Sequence, residues 1–537
     1  MGQGGALKRR AFIAASAWPL LGCERTPPDG STLPGGFTGI AHTRGHRLRE
    51  ATAQTPNTTH RTRVLVLGGG VAGLAAARAL RQQGVDDFAL LELEDEAGGN
   101  SRGGQVGGIA CPLGAHYLPV PGDNAREVQD LLEELGLRQR VAGRWVYDER
   151  TLCHSPQERL FFQGEWQEGL LPLQGVGEAT LAQYRRFAEA VQQAATAAKY
   201  TIPISKVPQA LVQASLDAMT FEAWLNQQGL TDPHLRWYLG YCCRDDYGAG
   251  IARVSAWAGL HYFASRHGFH APGTEPEAHD GGVLTWPEGN GWLTRRLAKP
   301  LGERLHTGRT VTRIASHRHG VEVDAVVEAT GQTERWRAER AIVALPLFVA
   351  ARVVAEPSDA LRRAAAQVHY APWLVANLHL RAPLHDRPGA PPSWDNVLYG
   401  SQGLGYVDAM HQSLQRVPGA TVLTWYRALG DAPDSRRALL DRPWTHWRDE
   451  ALRELATAHP DLPAKATRMD ITRYGHAMAI PVPGTRTSAA LQALRDRPAD
   501  AWQRLWLAHS DLAGYSVFEE AFTLGHRAGL ATVRAGL

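Results

Sequence analysis

Long apolar runs are missing from this chain. In 537 residues no stretch reaches the roughly 20 residues that cross a bilayer as a helix. The longest candidate, Ala11–Leu21, is too short to span one. Cysteine is scarce. The five present are Cys23, Cys111, Cys153, Cys242 and Cys243, and no pair has metal-ligand spacing. A disulfide between the neighbours Cys242 and Cys243 would be strained, so they read as two core thiols. Net charge is nearly absent too. Removing Met1–Gly22, which holds Lys8, Arg9, Arg10 and no acid, leaves 54 basic residues against 54 acidic ones. That balance excludes an electrostatic footprint for nucleic acid. The 22 histidines are scattered; His317 and His319 flank one residue in a surface turn, and no metal site is expected. Internal repeats are absent.

What is present is an ordinary globular composition, long enough for two or three domains. One stretch organises it. Val64-Leu-Val-Leu runs into Gly68-Gly-Gly70-Val71-Ala72-Gly73 and a helical pattern, and Phe88-Ala-Leu-Leu then ends in Glu92. This reads as strand, turn, helix, strand. Gly68 permits the tight turn, Gly70 lets backbone approach a diphosphate, and Gly73 lets helix pack on strand. The helix N-terminus offers N–H groups and partial positive charge to phosphates. Glu92, about 20 residues on, suits a ribose diol. Past the second strand, Gly98-Gly99-Asn100-Ser101-Arg102 lets backbone pass close to the same ligand, and Gly114-Ala115-His116-Tyr117 follows.

The N-terminus reads as an address. Arg9-Arg10-Ala11-Phe12-Ile13 resembles a twin-arginine export signal. Leu20-Leu21-Gly22-Cys23 resembles a bacterial lipoprotein cleavage box, with Cys23 as the lipid-bearing first residue. Residues 1–22 would be the signal peptide. Residues 23–60, rich in Pro, Gly, Thr and Arg, would be a partly disordered tether. Further on, residues 128–282 look mainly helical. Arg309–Ile314, Val321–Val327 and Ala341–Ala344 look like a β-meander leading to Pro346. Trp373–Leu380 is a strand, and Ser516–Leu530 is helical.

Together these segments resemble the flavin-containing amine oxidase superfamily. The glycine motif, Glu92 and Gly98-Gly99 carry the likeness. Val311 is similar to the family residue whose backbone meets the adenine, and Ile342–Pro346 to the family's strand-to-Pro junction. Asp511 with Glu519-Glu520-Ala521 and Gly525 is similar to its C-terminal closing segment. The resemblance implies FAD as cofactor and an α/β, two-domain Rossmann-like fold of the glutathione-reductase type. It would carry a mixed α+β substrate domain, both discontinuous. The FAD-binding pieces would be 61–125, 285–350 and 465–537; the substrate pieces would be 126–284 and 351–464. Gly68, Gly70, Val71, Ala72, Gly73, Glu92, Gly98, Gly99, Asn100, Ser101, Arg102, Gly114, Ala115, Val311, Asp511, Glu520 and Ala521 would then hold the cofactor. Arg102 would take the phosphate contact that the family gives an Arg where Asn100 stands.

The implied chemistry is hydride transfer from an amine or related small substrate to flavin. An apolar aromatic pocket would favour the neutral amine. Electrons would pass to oxygen or a membrane acceptor. Candidate substrate-facing residues are His116, Tyr117, Tyr474 and His476. Two family features are missing. Trp373–Leu380 has no lysine, and the aromatic pair flanking the amine falls near Ala477 and Val517, with His476 and Tyr515 as possible substitutes. Desaturation or isomerisation of a hydrophobic polyene or tetrapyrrole, and flavin binding without turnover, are the alternatives. A folded flavoprotein suits the twin-arginine translocase, so the expected location is the periplasmic side of a bacterial membrane, anchored at Cys23.

Overall fold

The computed structural model of the chain describes residues 33–49, 55–153, 157–273, 282–413, 417–495 and 497–536. The expected signal peptide and Cys23 lie outside the described residues. Among the described residues, no helix is long and apolar enough to cross a membrane.

Val64–Leu67 is completely buried, as a strand covered on both faces must be. It lies inside a five-stranded sheet. Phe88–Leu91 and then Leu305–His306 pair in parallel on one side, and Arg340–Val343 and then Leu505–Leu507 on the other. The chain therefore leaves the first strand one way and returns on its other side. A crevice opens outside the carboxyl ends of strands at such a switch.

Helix Val71–Gln82 follows the first strand, and the C-terminal helix Phe518–Arg534 packs across it. Glycine makes this crossing possible. A Cβ on Gly525 would lie 2.0 Å from the Ala72 carbonyl oxygen, and one on Gly529 would lie 2.8 Å from that of Ala76.

A four-stranded sheet joins Arg309–His317, Gly320–Val327, Thr333–Ala338 and Thr58–Arg61. This corrects the expected meander. Its third strand is Thr333–Ala338, whereas Ala341–Ala344 belongs to the parallel sheet, whose fully buried environment suits that apolar run.

The largest sheet has eight strands. At its centre, His369–Leu380 pairs with Thr421–Ala428 on one side and Ala466–Ile480 on the other. Three expectations change here. Ala466–Ile480, grouped at the sequence level with the C-terminal FAD-binding piece, is a long strand of this sheet. Gly35–Thr38, read as tether, pairs in parallel with its outer edge. The segment read as mainly helical supplies the hairpin Glu158–Phe162/Glu165–Glu168 to the far edge, as well as a separate hairpin, Arg138–Val141/Arg144–Tyr147. Both hairpins turn on two residues of positive φ, Gln163-Gly164 and Ala142-Gly143, as tight hairpins require.

Helix Pro233–Tyr247 delivers key side chains to the space between these sheets. Asp232 caps it by accepting from the His234 and Leu235 amides, Pro233 opens it, and Gly248 closes it in the left-handed conformation.

Candidate active site

A cavity of about 750 Å³ starts at the carboxyl end of Val64–Leu67 and runs to the large sheet. Its first end is made of backbone. Gly68 has φ +102°, and a Cβ there would meet the Ala344 carbonyl oxygen at 2.5 Å. Gly70 differs. Apart from its chain neighbours, the nearest atom to a Cβ on it would be Gly99 Cα at 4.0 Å. Its bareness leaves room for something else. Gly70 is also the N-cap of helix 71–82, and no side chain caps that helix. Val71 and Ala72 line the cavity, so the open donors of this first turn sit where a phosphate would use them.

Glu92 is 7% exposed and lines the same end. Its Oε2 accepts from the Gly69 amide at 2.6 Å and its Oε1 from the Glu94 amide at 2.8 Å. Burial pushes its carboxyl upward, and the two amides oppose that. Gly98 bridges to Gly70 and donates to the Gly69 carbonyl at 2.8 Å. Asn100 Nδ2 donates to the Ala477 carbonyl at 2.5 Å, joining the nucleotide end to the strand from the large sheet. Ser101, Gly114, Ala115, Val311, Asp511 and Ala521 line the cavity as well. Asp511 Oδ2 accepts from the Leu347 amide at 2.9 Å and from Tyr370 Oη at 2.5 Å. Burial raises its pKa, but His509, Tyr370 and the Leu347 amide outweigh that, leaving it below its ordinary value.

Three residues assigned to the cofactor sit elsewhere. Gly73 is not among the residues lining the cavity; a Cβ on it would fall 1.8 Å from the Gly68 carbonyl oxygen, so it is required for packing the helix on the turn. Arg102 turns away, donating to the Gly39 carbonyl at 2.5 Å and pairing with Glu94 at 3.6 Å. Its charge is therefore spent on holding the N-terminal segment. Glu520 is completely buried and accepts from the Ile204 amide at 2.5 Å and Tyr515 Oη at 2.8 Å. Its neighbour Glu519 faces the cavity instead. Tyr515 is likewise a core residue and does not replace the missing aromatic pair.

The other end of the cavity is aromatic. His116 stacks on Tyr426 with ring centroids 4.3 Å apart, and Tyr117 meets His116 edge-on at 4.9 Å. Burial drives the His116 imidazole down to about 3, so it is neutral. Tyr474 donates to the Leu113 carbonyl at 2.8 Å. His476 stacks on Phe348 at 4.3 Å. Burial, then Arg436 and Arg49, press it down to about 4. Ala477 and Val517 line the wall without rings, and Phe518 adds one beside them. On the strand expected to carry lysine, Val375 faces the cavity, while Asn377 is sealed between the Pro112 carbonyl and the Thr424 hydroxyl. Among the described residues, no lysine lines the cavity.

The sequence reading missed the acids. Asp245 and Asp246, on helix 233–247, line this end. Tyr117 Oη donates to Asp245 Oδ2 at 3.2 Å. Burial, with Asp246 adding, pushes Asp245 up to about 7. Glu158 rises to about 7 through burial and the charge of Asp245, and Asp395 rises through burial and both. Such neighbours titrate as a group. Arg266 sits 3.5 Å from Glu519 and offsets Asp246. The available signal was the acidic pair Asp245-Asp246, which with Arg244 follows the apolar run Trp237–Cys243.

A parallel-sheet switch point with a glycine turn, an uncapped helix and a buried acid at one end of a deep cavity is the architecture of a dinucleotide-binding enzyme. Sequence comparison narrows this. The family of flavin-containing amine oxidoreductases matches residues 71–529, and the chain belongs to it. The family is one of flavin-dependent oxidoreductases, and FAD is its cofactor.

Individual relatives match in part. The putative flavin-containing monoamine oxidase AofH of Mycobacterium tuberculosis is 37% identical over 91 residues, 17% of this chain and 18% of the relative. A Baeyer-Villiger monooxygenase, peniC, of Penicillium patulum is 42% identical over 60 residues, 11% of this chain and 10% of the relative. These alignments thus span less than a fifth of the relatives' length. Solved structures align far more widely. Wild-type putrescine oxidase bound to putrescine superposes with a TM-score of 0.65 at 18% identity, over 89% of this chain and 100% of its own. Cyclohexylamine oxidase from Brevibacterium oxydans gives 0.64 at 17% identity, over 88% and 99%. At such identities the likeness is one of mixed α/β fold.

Proposed function

We propose that this protein oxidises an amine at the aromatic end of its cavity. Asp245, held by Tyr117 inside the cavity and poised near neutrality, carries this reading. When bound, FAD supplies the hydride-accepting ring; the glycine turn, the start of helix 71–82 and Glu92 would hold its nucleotide part. An amine arrives as a cation, which the acids around Asp245 attract. Above about 7 the Asp245 carboxylate can take the ammonium proton. The neutral amine is then favoured by His116, Tyr117, Tyr426 and Tyr474, whose rings offer little solvation to charge. The superposition with putrescine oxidase supports an amine substrate through fold alone.

In the same reading, the FAD-binding part is of the two-domain, glutathione-reductase type, and electrons leave to oxygen or a membrane acceptor. Export by the twin-arginine route and anchoring at Cys23 on the periplasmic side rest on Arg9-Arg10 and Leu20–Cys23.

The test is anaerobic mixing of the purified holoprotein with a panel of amines, read as flavin bleaching. Rapid bleaching by at least one amine supports the proposal. Bleaching only by polyenes or other lipid-like compounds points to desaturation or isomerisation instead, and bleaching by none of them means flavin binding without turnover.

A further inference from the structure

The N-terminal segment that precedes the family match is part of the cavity wall. Gly35–Thr38 pairs with the edge of the large sheet, and helix His42–His46 follows. Ile40, His42, His46, Leu48 and Arg49 all line the cavity. The segment is tied down at several points. Arg102 holds the Gly39 carbonyl, Glu94 accepts from the Ala41 amide at 3.1 Å, and Arg352 donates to the Leu48 and Arg49 carbonyls at 2.6 and 3.0 Å.

Where this strap meets the cavity, the charged side chains are arginines. Arg49, Arg352, Arg436 and Arg473 line it with His42, His46 and His476. Each interior guanidinium is held only by neutral groups. Arg436 Nε donates to the Gly475 carbonyl at 3.0 Å. Arg473 donates to the Leu439 carbonyl at 3.1 Å, reaches His42 Nε2 at 3.5 Å and lies 4.0 Å over the Phe37 ring. Among the described residues, none of the four arginines is paired with a carboxylate, whereas Arg266 and Arg309, elsewhere in the same cavity, are. Asp511 acts on His476 of this group and is already engaged by the Leu347 amide and Tyr370. Burial and neighbouring arginines keep His42, His46 and His476 below their ordinary values.

We infer that the strap completes an oxyanion-binding pocket, in which Arg49, Arg436 and Arg473 with His42 and His46 hold a carboxylate or phosphate group. Planar guanidinium donors suit such groups, and a cluster of unpaired cations in a partly enclosed cavity is stabilised by a bound anion. The anion is either carried by the substrate or free. The diphosphate of FAD would be held by the donors at the start of helix 71–82, and the inferred pocket is additional to them.

The experiment uses FAD-loaded protein in chloride-free buffer and titrates inorganic phosphate by calorimetry in two buffers of different ionisation enthalpy. Saturable binding with proton uptake is expected, as the histidines charge. Arg49→Gln, whose side chain is exposed, and Arg436→Gln should each weaken binding at least tenfold with flavin absorbance unchanged. No saturable binding to the loaded protein overturns the proposal, and so does binding that both variants leave intact. Phosphate binding confined to FAD-free protein also overturns it, by making the cluster a counter-charge to the cofactor. A second arm compares butylamine with 4-aminobutanoate in flavin reduction. Faster reduction by the carboxylated amine, competed by phosphate, assigns the pocket to substrate. Phosphate binding without any effect on reduction assigns it to a free oxyanion.

Discussion

Tyr117 Oη donates to Asp245 Oδ2 at 3.2 Å inside the cavity, so a phenol from one strand and a carboxylate from one helix share a proton-handling contact. The carboxyl titrates near 7 because it is buried beside Asp246. It is neutral below that pH and charged above it. Amine-driven flavin reduction should therefore rise with pH through about 7 and level off. Asp245→Asn should flatten that limb and slow reduction about 10²- to 10⁴-fold, the usual range for a lost acid–base group. Stopped-flow rates across pH 5–9 check this; an unchanged limb in the variant would remove Asp245 from the mechanism.

The same shift has a stability sign. The folded-state pKa of Asp245 lies above its unfolded value, so between roughly 4 and 7 the folded state binds more protons. Its contribution is fully present below the unfolded pKa and is lost as pH rises through the folded one. Asp245→Asn should thus gain stability relative to the parent as pH rises through that window. Thermal melts of both proteins at pH 5 and pH 8 read the difference, and a variant that loses ground to the parent as pH rises contradicts it.

Much of the nucleotide end was legible because backbone geometry demands particular residues there. Gly68 makes the tight turn its spacing implied, Gly70 is left bare beside the cavity, and Glu92 follows the second strand next to them. The errors came where sequence alone cannot show direction. Glu519 and Glu520 are adjacent on one helix, and only the packing decides that 519 faces the cavity. Arg102 lies in the right loop but is claimed by Gly39, from a segment read as tether, and by Glu94 of its own loop. Asp245 and Asp246 sit in a run whose apolar neighbours read as core. Nothing local reveals that the core there opens into a cavity.

Glu520 offers a direct check on that correction. Its carboxyl, raised to about 7 by burial, accepts from Ile204 N–H and Tyr515 Oη. Glu520→Ala leaves a buried amide and hydroxyl unsatisfied, at a cost of about 1–3 kcal/mol each. Denaturant melts should show that loss while the purified variant keeps its full flavin content. Loss of flavin with stability intact would return Glu520 to the cofactor site.

Glu92 should behave in the opposite way. It braces the turn by accepting from the Gly69 and Glu94 amides, and it also faces the nucleotide end of the cavity. Glu92→Ala should lower both stability and flavin occupancy. Glu92→Gln retains one acceptor for an amide and should lose less of each. The flavin-to-protein absorbance ratio after gel filtration separates the variants; equal occupancy in all three proteins would leave Glu92 with a structural role only.

The closing of the C-terminal helix over the first helix rests on two missing side chains. A methyl at Gly525 would sit 2.0 Å from the Ala72 carbonyl oxygen, against backbone that cannot step aside. Gly525→Ala must therefore push helix 518–534 away from helix 71–82, at the cost of about 1–3 kcal/mol or more that overpacking brings. Because Ala521 and Ala72 both line the cavity from these helices, the shift should also loosen the cofactor. Gly36 is the control: its φ is not positive, and a Cβ there meets nothing within 4 Å. Gly36→Ala should match the parent in melting temperature and flavin content. Gly525→Ala should melt lower by several degrees and release flavin on dilution, and a variant that does neither would show that the helix crossing does not govern cofactor retention.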